Sequence, residues 1–144
     1  MENYNFSVDI QIRMSDLDPF VHVNNGAQCH LYDYGRTSYF EKVFGENIDW
    51  ATLDLVLIHL ELDFKSPILY HDRMVCDCKI IKVGNKSFTM YQQLRNKDTN
   101  EIKSTCTSVL CGFDRHTATA IPVRKDYVEK IYIFEKSVPN VLGK

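Results

Sequence analysis

Five polar residues between Asp16 and Asn25 have the types needed for acyl-transfer chemistry. They are Asp16, Asp18, His22, Asn24 and Asn25, and a helix is predicted to begin directly after them. A carboxylate can attack an acyl carbon or deprotonate a water. The free N–H groups and the dipole at the start of a helix can stabilise a developing oxyanion. The segment therefore predicts a site able to cleave an acyl thioester. A polar turn that merely caps a helix is the alternative, because these residue types are common at turns.

The elements on either side of this segment are predicted from Pro19, Asn25 and Gly45. Pro19 disfavours helical geometry at Asp18 and favours a turn. Asn25 can cap a helix, with Gln28 three residues later as a variant of the capping box. Gly45 is a favourable left-handed stop. The predicted helix carries an apolar stripe and two small positions for close packing. The stripe is Leu31, Tyr34, Phe40, Val43 and Phe44, and the small residues are Gly35 and Ser38.

Period-two alternation predicts that most of the remaining chain is β-strand. The predicted strands are 6–14, 56–64, 74–80, 88–94 and 102–113, with a tight reversal at Gly84-Asn85 and a closing helix over 124–134 that faces inward through Val128 and Ile131. Strands beside one main helix indicate an α+β fold with an antiparallel sheet of about five strands. We expect one domain over residues 1–144. Since one helix covers only one face of the sheet, we also expect a homo-oligomer.

The composition excludes several classes of function. The net charge is −2, which gives no general attraction to nucleic acid or to an anionic membrane. The N-terminal sequence MENYNFSVDI does not resemble a secretory signal, and no apolar run is long enough to span a bilayer. The five cysteines are an odd number without zinc or redox spacing, which favours buried, reduced thiols. We therefore expect a cytoplasmic protein without a metal.

The segment from Arg13 to Phe40, RMSDLDPFVHVNNGAQCHLYDYGRTSYF, resembles the signature of the 4-hydroxybenzoyl-CoA thioesterase family. That signature is an arginine or aromatic residue, then D-x-D, a short turn, H-V-N-N and a helix with an aromatic-rich face. The later segments VGNKSF and FDRHTATAIPV, at 83–88 and 113–123, are also similar. The resemblance implies the hotdog fold, in which a curved antiparallel sheet wraps one long central helix. It also implies thioester hydrolysis by dimers or tetramers.

The resemblance also implies roles for individual residues. Asp18, the second aspartate of D-x-D, matches the catalytic carboxylate, and Asn25 matches the residue whose backbone N–H holds the oxyanion. Lys82, Lys86 and Ser87 match the region that binds the pantetheine arm and the phosphates of CoA. The CoA moiety is part of the substrate, so no cofactor is implied. For the two lysines, ordinary exposed hairpin residues are an equal alternative.

The same segment is similar to the plant-type acyl-carrier-protein thioesterases, which carry D-x-N-x-H-V-N-N. Asp18 and His22 match the aspartate and histidine, but Phe20 replaces the asparagine between them. The acyl carrier is therefore either CoA or protein-bound pantetheine, and His22 is a secondary catalytic candidate. A hotdog hydratase is disfavoured because the D-x-N-P-x-H motif is absent. A non-catalytic acyl-binding domain is the third alternative.

Overall fold

The computed structural model describes residues 3–45, 48–50 and 53–136 and has an α+β architecture. The strands are β1 Phe6–Ile10, β2 Leu55–Phe64, β3 Met74–Val83, β4 Ser87–Asn96, β5 Ile102–Asp114 and β6 Thr119–Ile121. The helices are α1 Asn25–Phe44 and α2 Lys125–Glu135, and a 3-10 turn covers Met14–Asp16. The antiparallel sheet has the order β1-β3-β4-β5-β2, with β6 paired to β5. The predicted fold class is confirmed, with six strands rather than five. The additional strand has three residues, too few for alternation to reveal it.

The chain divides into two compact units, each containing part of α1 and of the sheet. Unit 1 comprises residues 1–39, 62–78 and 92–106. In this unit α1 lies against the sheet at Gly35, where an added Cβ would be 2.5 Å from Cys76 Sγ. The buried Tyr32 hydroxyl is 2.6 Å from Ser104 Oγ. The small residue predicted for close approach is therefore needed at position 35.

Unit 2 comprises residues 40–61, 79–91 and 107–144. Its core includes an aromatic group in which Phe40 meets the ring of Phe88 edge-on and Phe44 stacks on Tyr127. Helix α2 faces inward through Val128 and Ile131, as predicted. The β3–β4 loop contains three residues rather than the predicted pair, because Gly84 N donates to Ser87 O at 2.8 Å.

Two sequence predictions about apolar positions are wrong. The first strand ends at Ile10, and Met14 lies in the 3-10 turn with 67% of its surface exposed. Tyr34 is 53% exposed, because the buried face of α1 is formed by Tyr32, Arg36 and Tyr39 at helical spacing. Position 34 is roughly 200° around the helix from position 32. The buried arginine made the true stripe look polar in the sequence.

Strand β2 is an edge strand with an unusually apolar exposed surface. It follows β5 at the end of the sheet order, and Ile58 and Phe64 are 59% and 46% exposed. No described helix is long and apolar enough to cross a membrane. That residues 1–144 form one domain stays a prediction.

Candidate active site

The turn that carries Asp18 is held by four hydrogen bonds. The carboxylate atom Asp18 Oδ1 accepts from Phe20 N at 2.9 Å and from His22 N at 3.4 Å. Val21 N donates to Asp18 O at 2.9 Å, with Pro19 at the second position of the turn, and Asp18 N donates to His22 O at 2.9 Å. Asp18 Oδ2 has no hydrogen-bond partner among the described residues. One carboxylate oxygen therefore shapes the turn, and the other is available for chemistry.

Val21 at this turn has an unfavourable backbone conformation. Its φ is 64°, in the left-handed region that a β-branched residue rarely adopts. Such conformations cost roughly 1–3 kcal/mol and occur preferentially at functional sites. The hydrogen bonds between Asp18 and His22 on either side of it hold the residue in place.

Asp16 anchors the turn to the start of α1. Its side chain accepts from Arg13 N at 2.8 Å and pairs with the Arg13 guanidinium at 2.9 Å. Burial tends to raise the pKa of Asp16, but the hydrogen bonds from Arg13 outweigh it, so the pKa lies below its ordinary value. Asp16 O also accepts from Asn24 N at 2.8 Å. Asp16 thus has the structural role predicted for it.

Asn24, rather than the predicted Asn25, caps helix α1. Asn24 Oδ1 accepts from Gly26 N at 2.7 Å, and Asn24 O accepts from Gln28 N at 3.0 Å. Asn25 is the first helical residue, and in the described chain its N–H has no acceptor. The register differs by one residue because the long-range bond from Asn24 N to Asp16 O holds Asn24 outside the helix.

Three predicted site residues, Asp18, His22 and Asn25, line the same cavity of unit 1. The cavity has a volume of about 260 Å³ and is also lined by Val23, Gln28, Phe64, Lys65, Ser66 and Pro67. Asp18 and His22 are half-buried, and Asn25 is exposed. The cavity therefore places a carboxylate with a free oxygen, a free helix N-terminal N–H and a lysine around one space.

A second, more apolar cavity of about 430 Å³ lies on the other side of His22. Its walls are Met14, Leu17, Phe20, Val21, His22, Leu69, Tyr70, His71 and Asp72. Phe20, which replaces the asparagine of the carrier-protein thioesterase motif, is 79% exposed. Because His22 lines both cavities, it separates a polar space from an apolar one.

The three predicted CoA-binding residues lie in unit 2, at the β3–β4 hairpin. Lys82 and Lys86 are exposed and Ser87 is half-buried. None of them is among the described residues that line the Asp18 cavity. The structure therefore brings the catalytic candidates together and places the CoA-binding candidates in a separate group.

Sequence reasoning missed two cavity residues and misjudged a third. Lys65 and Ser66 follow β2 and donate through their backbone N–H groups to Lys103 O, at 2.9 and 3.0 Å. No local pattern predicts this pairing. Gln28 was interpreted only as a capping residue, although it is 3% exposed and its Oε1 has no partner.

The cysteines do not supply a nucleophile to this cavity. All five thiols are free, and four of them are buried. Burial raises the pKa of Cys106 to about 11 despite the opposing effect of Arg36, and it raises the pKa of Cys76 well above its ordinary value. Buried thiols with raised pKa values are poor nucleophiles. Within the described ranges, no three His, Cys, Asp or Glu side chains form a group that could hold a metal ion.

Comparison with known proteins identifies the family. The model of the thioesterase superfamily matches residues 20–103, more than half of the chain. The match begins two residues after Asp18. No curated protein is similar enough to match.

Solved structures with similar folds include several thioesterases. A Thermus thermophilus thioesterase complexed with coenzyme A and Zn has a TM-score of 0.85 and 24% identity, covering 96% of this chain and 100% of that one. A predicted thioesterase from Bacillus stearothermophilus has a TM-score of 0.83 and 23% identity, covering 94% and 98%. A 1,4-dihydroxy-2-naphthoyl-CoA thioesterase from Synechocystis has a TM-score of 0.79 and 14% identity, covering 88% and 94%.

The long helix and the antiparallel sheet thus define a hotdog fold. The chain belongs to the thioesterase superfamily, and its chemistry is thioester hydrolysis. These findings define the class of reaction. They leave the residue roles and the acyl carrier to the proposal below.

Proposed function

We propose that this protein hydrolyses acyl-CoA thioesters to the free acid and CoA. The observation that carries the proposal is the shared cavity of Asp18 and Asn25. Within it, the free Oδ2 of Asp18 can act as general base or nucleophile. The free N–H of Asn25 at the start of α1 can polarise the thioester carbonyl. The resemblance to the 4-hydroxybenzoyl-CoA thioesterases and the CoA bound to the Thermus thioesterase support CoA as the carrier.

The CoA end of the substrate is assigned to the β3–β4 hairpin. Lys82 and Lys86 are exposed cations that suit phosphate groups, and Ser87 supplies a hydroxyl. No cofactor is part of the proposed reaction. We propose a cytoplasmic homo-oligomer, a dimer or a tetramer, in which these residues act together with an Asp18 cavity.

A carrier-protein thioesterase is the second candidate, and the position of His22 favours it. His22 lines the cavity of Asp18, so the aspartate and the histidine of the carrier-protein motif are together even though Phe20 replaces the asparagine. Turnover of the same acyl group on CoA and on an acyl carrier protein separates the two candidates. Binding of both thioesters without turnover of either would instead indicate a non-catalytic domain.

The roles of Asp18 and His22 are tested by substitution. We expect Asp18→Asn to keep the fold, because its amide oxygen still accepts from Phe20 N, and to lower kcat by about a hundredfold or more. His22→Ala should have a smaller effect, since its motif partner is absent. CoA release is measured by chromatography over a range of acyl lengths.

Asp114→Asn is the matched control for Asp18→Asn. Asp114 Oδ1 accepts from His116 N at 2.8 Å and Thr117 N at 3.4 Å, an arrangement like that of Asp18 in a different turn. This variant should remain near wild-type activity. Near wild-type turnover by folded Asp18→Asn would rule out the catalytic assignment. An equal loss in His22→Ala would favour the carrier-protein arrangement.

A further inference from the structure

Gln28 is a buried residue with an unused hydrogen-bond acceptor in the candidate active site. It is 3% exposed, and its Oε1 is buried without a partner among the described residues. Buried side-chain acceptors are normally paired, because leaving one unpaired is destabilising. An exception of this kind needs a specific reason.

The register of helix α1 explains why Gln28 lacks a partner within the chain. In a capping box, the third residue after the cap accepts from the backbone N–H of the cap. The cap is Asn24, so Gln28 is the fourth residue after it, and Asn24 N already donates to Asp16 O at 2.8 Å. No donor of the helix start is therefore left for Gln28 Oε1.

The cavity supplies the surroundings for a donor that is not part of the chain. Gln28 lines it together with Asp18, whose Oδ2 is free, and with Asn25, whose N–H is free. The volume of about 260 Å³ holds a water beside a reacting group, and polar groups surround it. Because Oε1 is shielded from bulk solvent, a donor must be held inside the cavity.

We propose that Gln28 Oε1 binds the attacking water of the hydrolysis. This inference rests on the proposed function and assigns Asp18 as the general base. The water donates one O–H to Asp18 Oδ2 and the other to Gln28 Oε1, which leaves an oxygen lone pair directed at the thioester carbon. A water held by Asp18 alone has a second O–H without an acceptor, so its orientation is less defined.

The reaction that follows is balanced without a cofactor. As the C–O bond forms, the first proton moves to Asp18 and the carbonyl oxygen becomes an oxyanion at the Asn25 N–H. Collapse of the tetrahedral species breaks the C–S bond and expels the CoA thiolate, which takes the proton from Asp18. The second proton stays on the product acid throughout, hydrogen-bonded to Gln28.

Two substitutions test the role of Gln28 in the full-length protein. Gln28→Met has a similar size and no oxygen, so kcat should fall by about ten- to a hundredfold, with KM within about twofold of wild type. Its unfolding midpoint should be unchanged or higher, because an apolar group replaces an unpaired acceptor. A residue with a merely structural role would show lower stability instead.

Gln28→Glu is the matched variant that retains an acceptor. The titratable residues that line the cavity are Asp18, His22 and Lys65. A second carboxylate beside Asp18 disfavours the ionised pair, so the acid limb of kcat should move to higher pH. Above that limb, kcat should recover to within about threefold of wild type.

The outcomes separate this inference from the proposed function. A wild-type protein that releases no CoA from any acyl-CoA defeats both. A wild type that depends on Asp18 while Gln28→Met keeps full kcat overturns the role of Gln28 alone. So does a raised KM with unchanged kcat, which would make Oε1 a substrate ligand. If Gln28→Met does not fold, failure of kcat to recover in Gln28→Glu above the acid limb also overturns the proposal.

Discussion

Asp18 combines a structural and a chemical property that usually belong to different residues. Its Oδ1 accepts two backbone hydrogen bonds in the turn, while Oδ2 has no partner in the described ranges. A polar turn and a catalytic carboxylate are therefore compatible interpretations of the same residue. Fixing one oxygen also fixes the direction of the other, which is the kind of preorganisation that a general base needs.

At the same scale, Asp77 predicts how the protein responds to acid. Asp77 is 2% exposed and accepts from Arg95 Nε at 2.8 Å, from Gln93 at 2.7 Å and from Ser7. Burial tends to raise the pKa of Asp77, but these donors outweigh it and lower the pKa. The stabilisation is complete above about pH 4, the ordinary value, and is lost as the pH falls through the lower folded value. Asp77→Asn should cost about 2 kcal/mol at neutral pH and flatten the acid dependence of the unfolding midpoint.

Asp98 provides the exposed control for Asp77. It pairs with Arg73, and the two side chains are 53% and 66% exposed. The hydrogen bond from Arg73 lowers the pKa of Asp98, but solvent screens this pair. Asp98→Asn should therefore change the midpoint little, and chemical denaturation over a pH series measures both variants. Equal effects would contradict the assignment of acid sensitivity to the buried network.

At the scale of the element, Gly35 determines how closely α1 approaches the sheet. Alanine is normally better than glycine in a helix interior by about 1 kcal/mol. Here an alanine Cβ would lie 2.5 Å from Cys76 Sγ, and Cys76 is fully buried against Cys78 Sγ at 3.7 Å. Overpacking of this kind costs about 1–3 kcal/mol. We expect Gly35→Ala to be destabilised by about 1–2 kcal/mol in denaturant unfolding.

A second background tests the cause of that loss. In Cys76→Ala the clashing sulfur is absent, and the nearest remaining atom, Gln92 Nε2, is 3.1 Å from the added Cβ. Gly35→Ala should then be less costly than in the wild-type background, since the two sites are in contact and their effects are not additive. Equal costs in both backgrounds would show that the clash with Cys76 is not the reason.

The β3–β4 hairpin is the element assigned to the CoA end of the substrate. Replacing Lys82 and Lys86 together with Ala should raise KM for acyl-CoA more than it lowers kcat. Groups remote from the reacting carbonyl bind the ground and transition states alike. The increase should shrink for a short pantetheine thioester without the nucleotide. Steady-state kinetics on both substrates measures this, and equal increases would argue against nucleotide binding by these lysines.

At the scale of the whole molecule, edge strand β2 predicts association. Its exposed apolar residues and unpaired backbone edge are a liability that proteins normally cover. We expect at least a homodimer whose activity falls on dilution. Ile58→Lys should weaken association, whereas Ile133→Lys, at a 73% exposed position on α2, should not. Sedimentation velocity over a dilution series measures both, and a fully active wild-type monomer would defeat the prediction.

A mixing experiment tests whether two chains build one site. Asp18→Asn retains the hairpin lysines, and the Lys82 and Lys86 double variant retains Asp18. If the hairpin of one chain serves the cavity of another, mixing the two inactive or weakened proteins should restore part of the activity. Exchange of subunits without any recovery would indicate that each site is built from a single chain.

The sequence by itself determined the features that depend on neighbouring residues. Pro19 restricts its predecessor and so predicted the turn of Asp18, and the apolar alternation predicted the strands. Gly45, whose φ is 116°, ended α1 where a left-handed residue was predicted. The class of chemistry also came from one continuous segment, because that segment holds both the carboxylate and the helix start.

Only the tertiary structure decided the features that depend on distant residues. The bond from Asn24 N to Asp16 O set the helix cap one residue earlier than Asn25. The pairing of Lys65 and Ser66 with Lys103 placed two unpredicted residues in the cavity. The partner of Gln28 could not be judged from spacing, because a capping box and an unused acceptor differ by one residue of register. Local patterns set the elements, but hydrogen bonds across the fold set which side chains share a cavity.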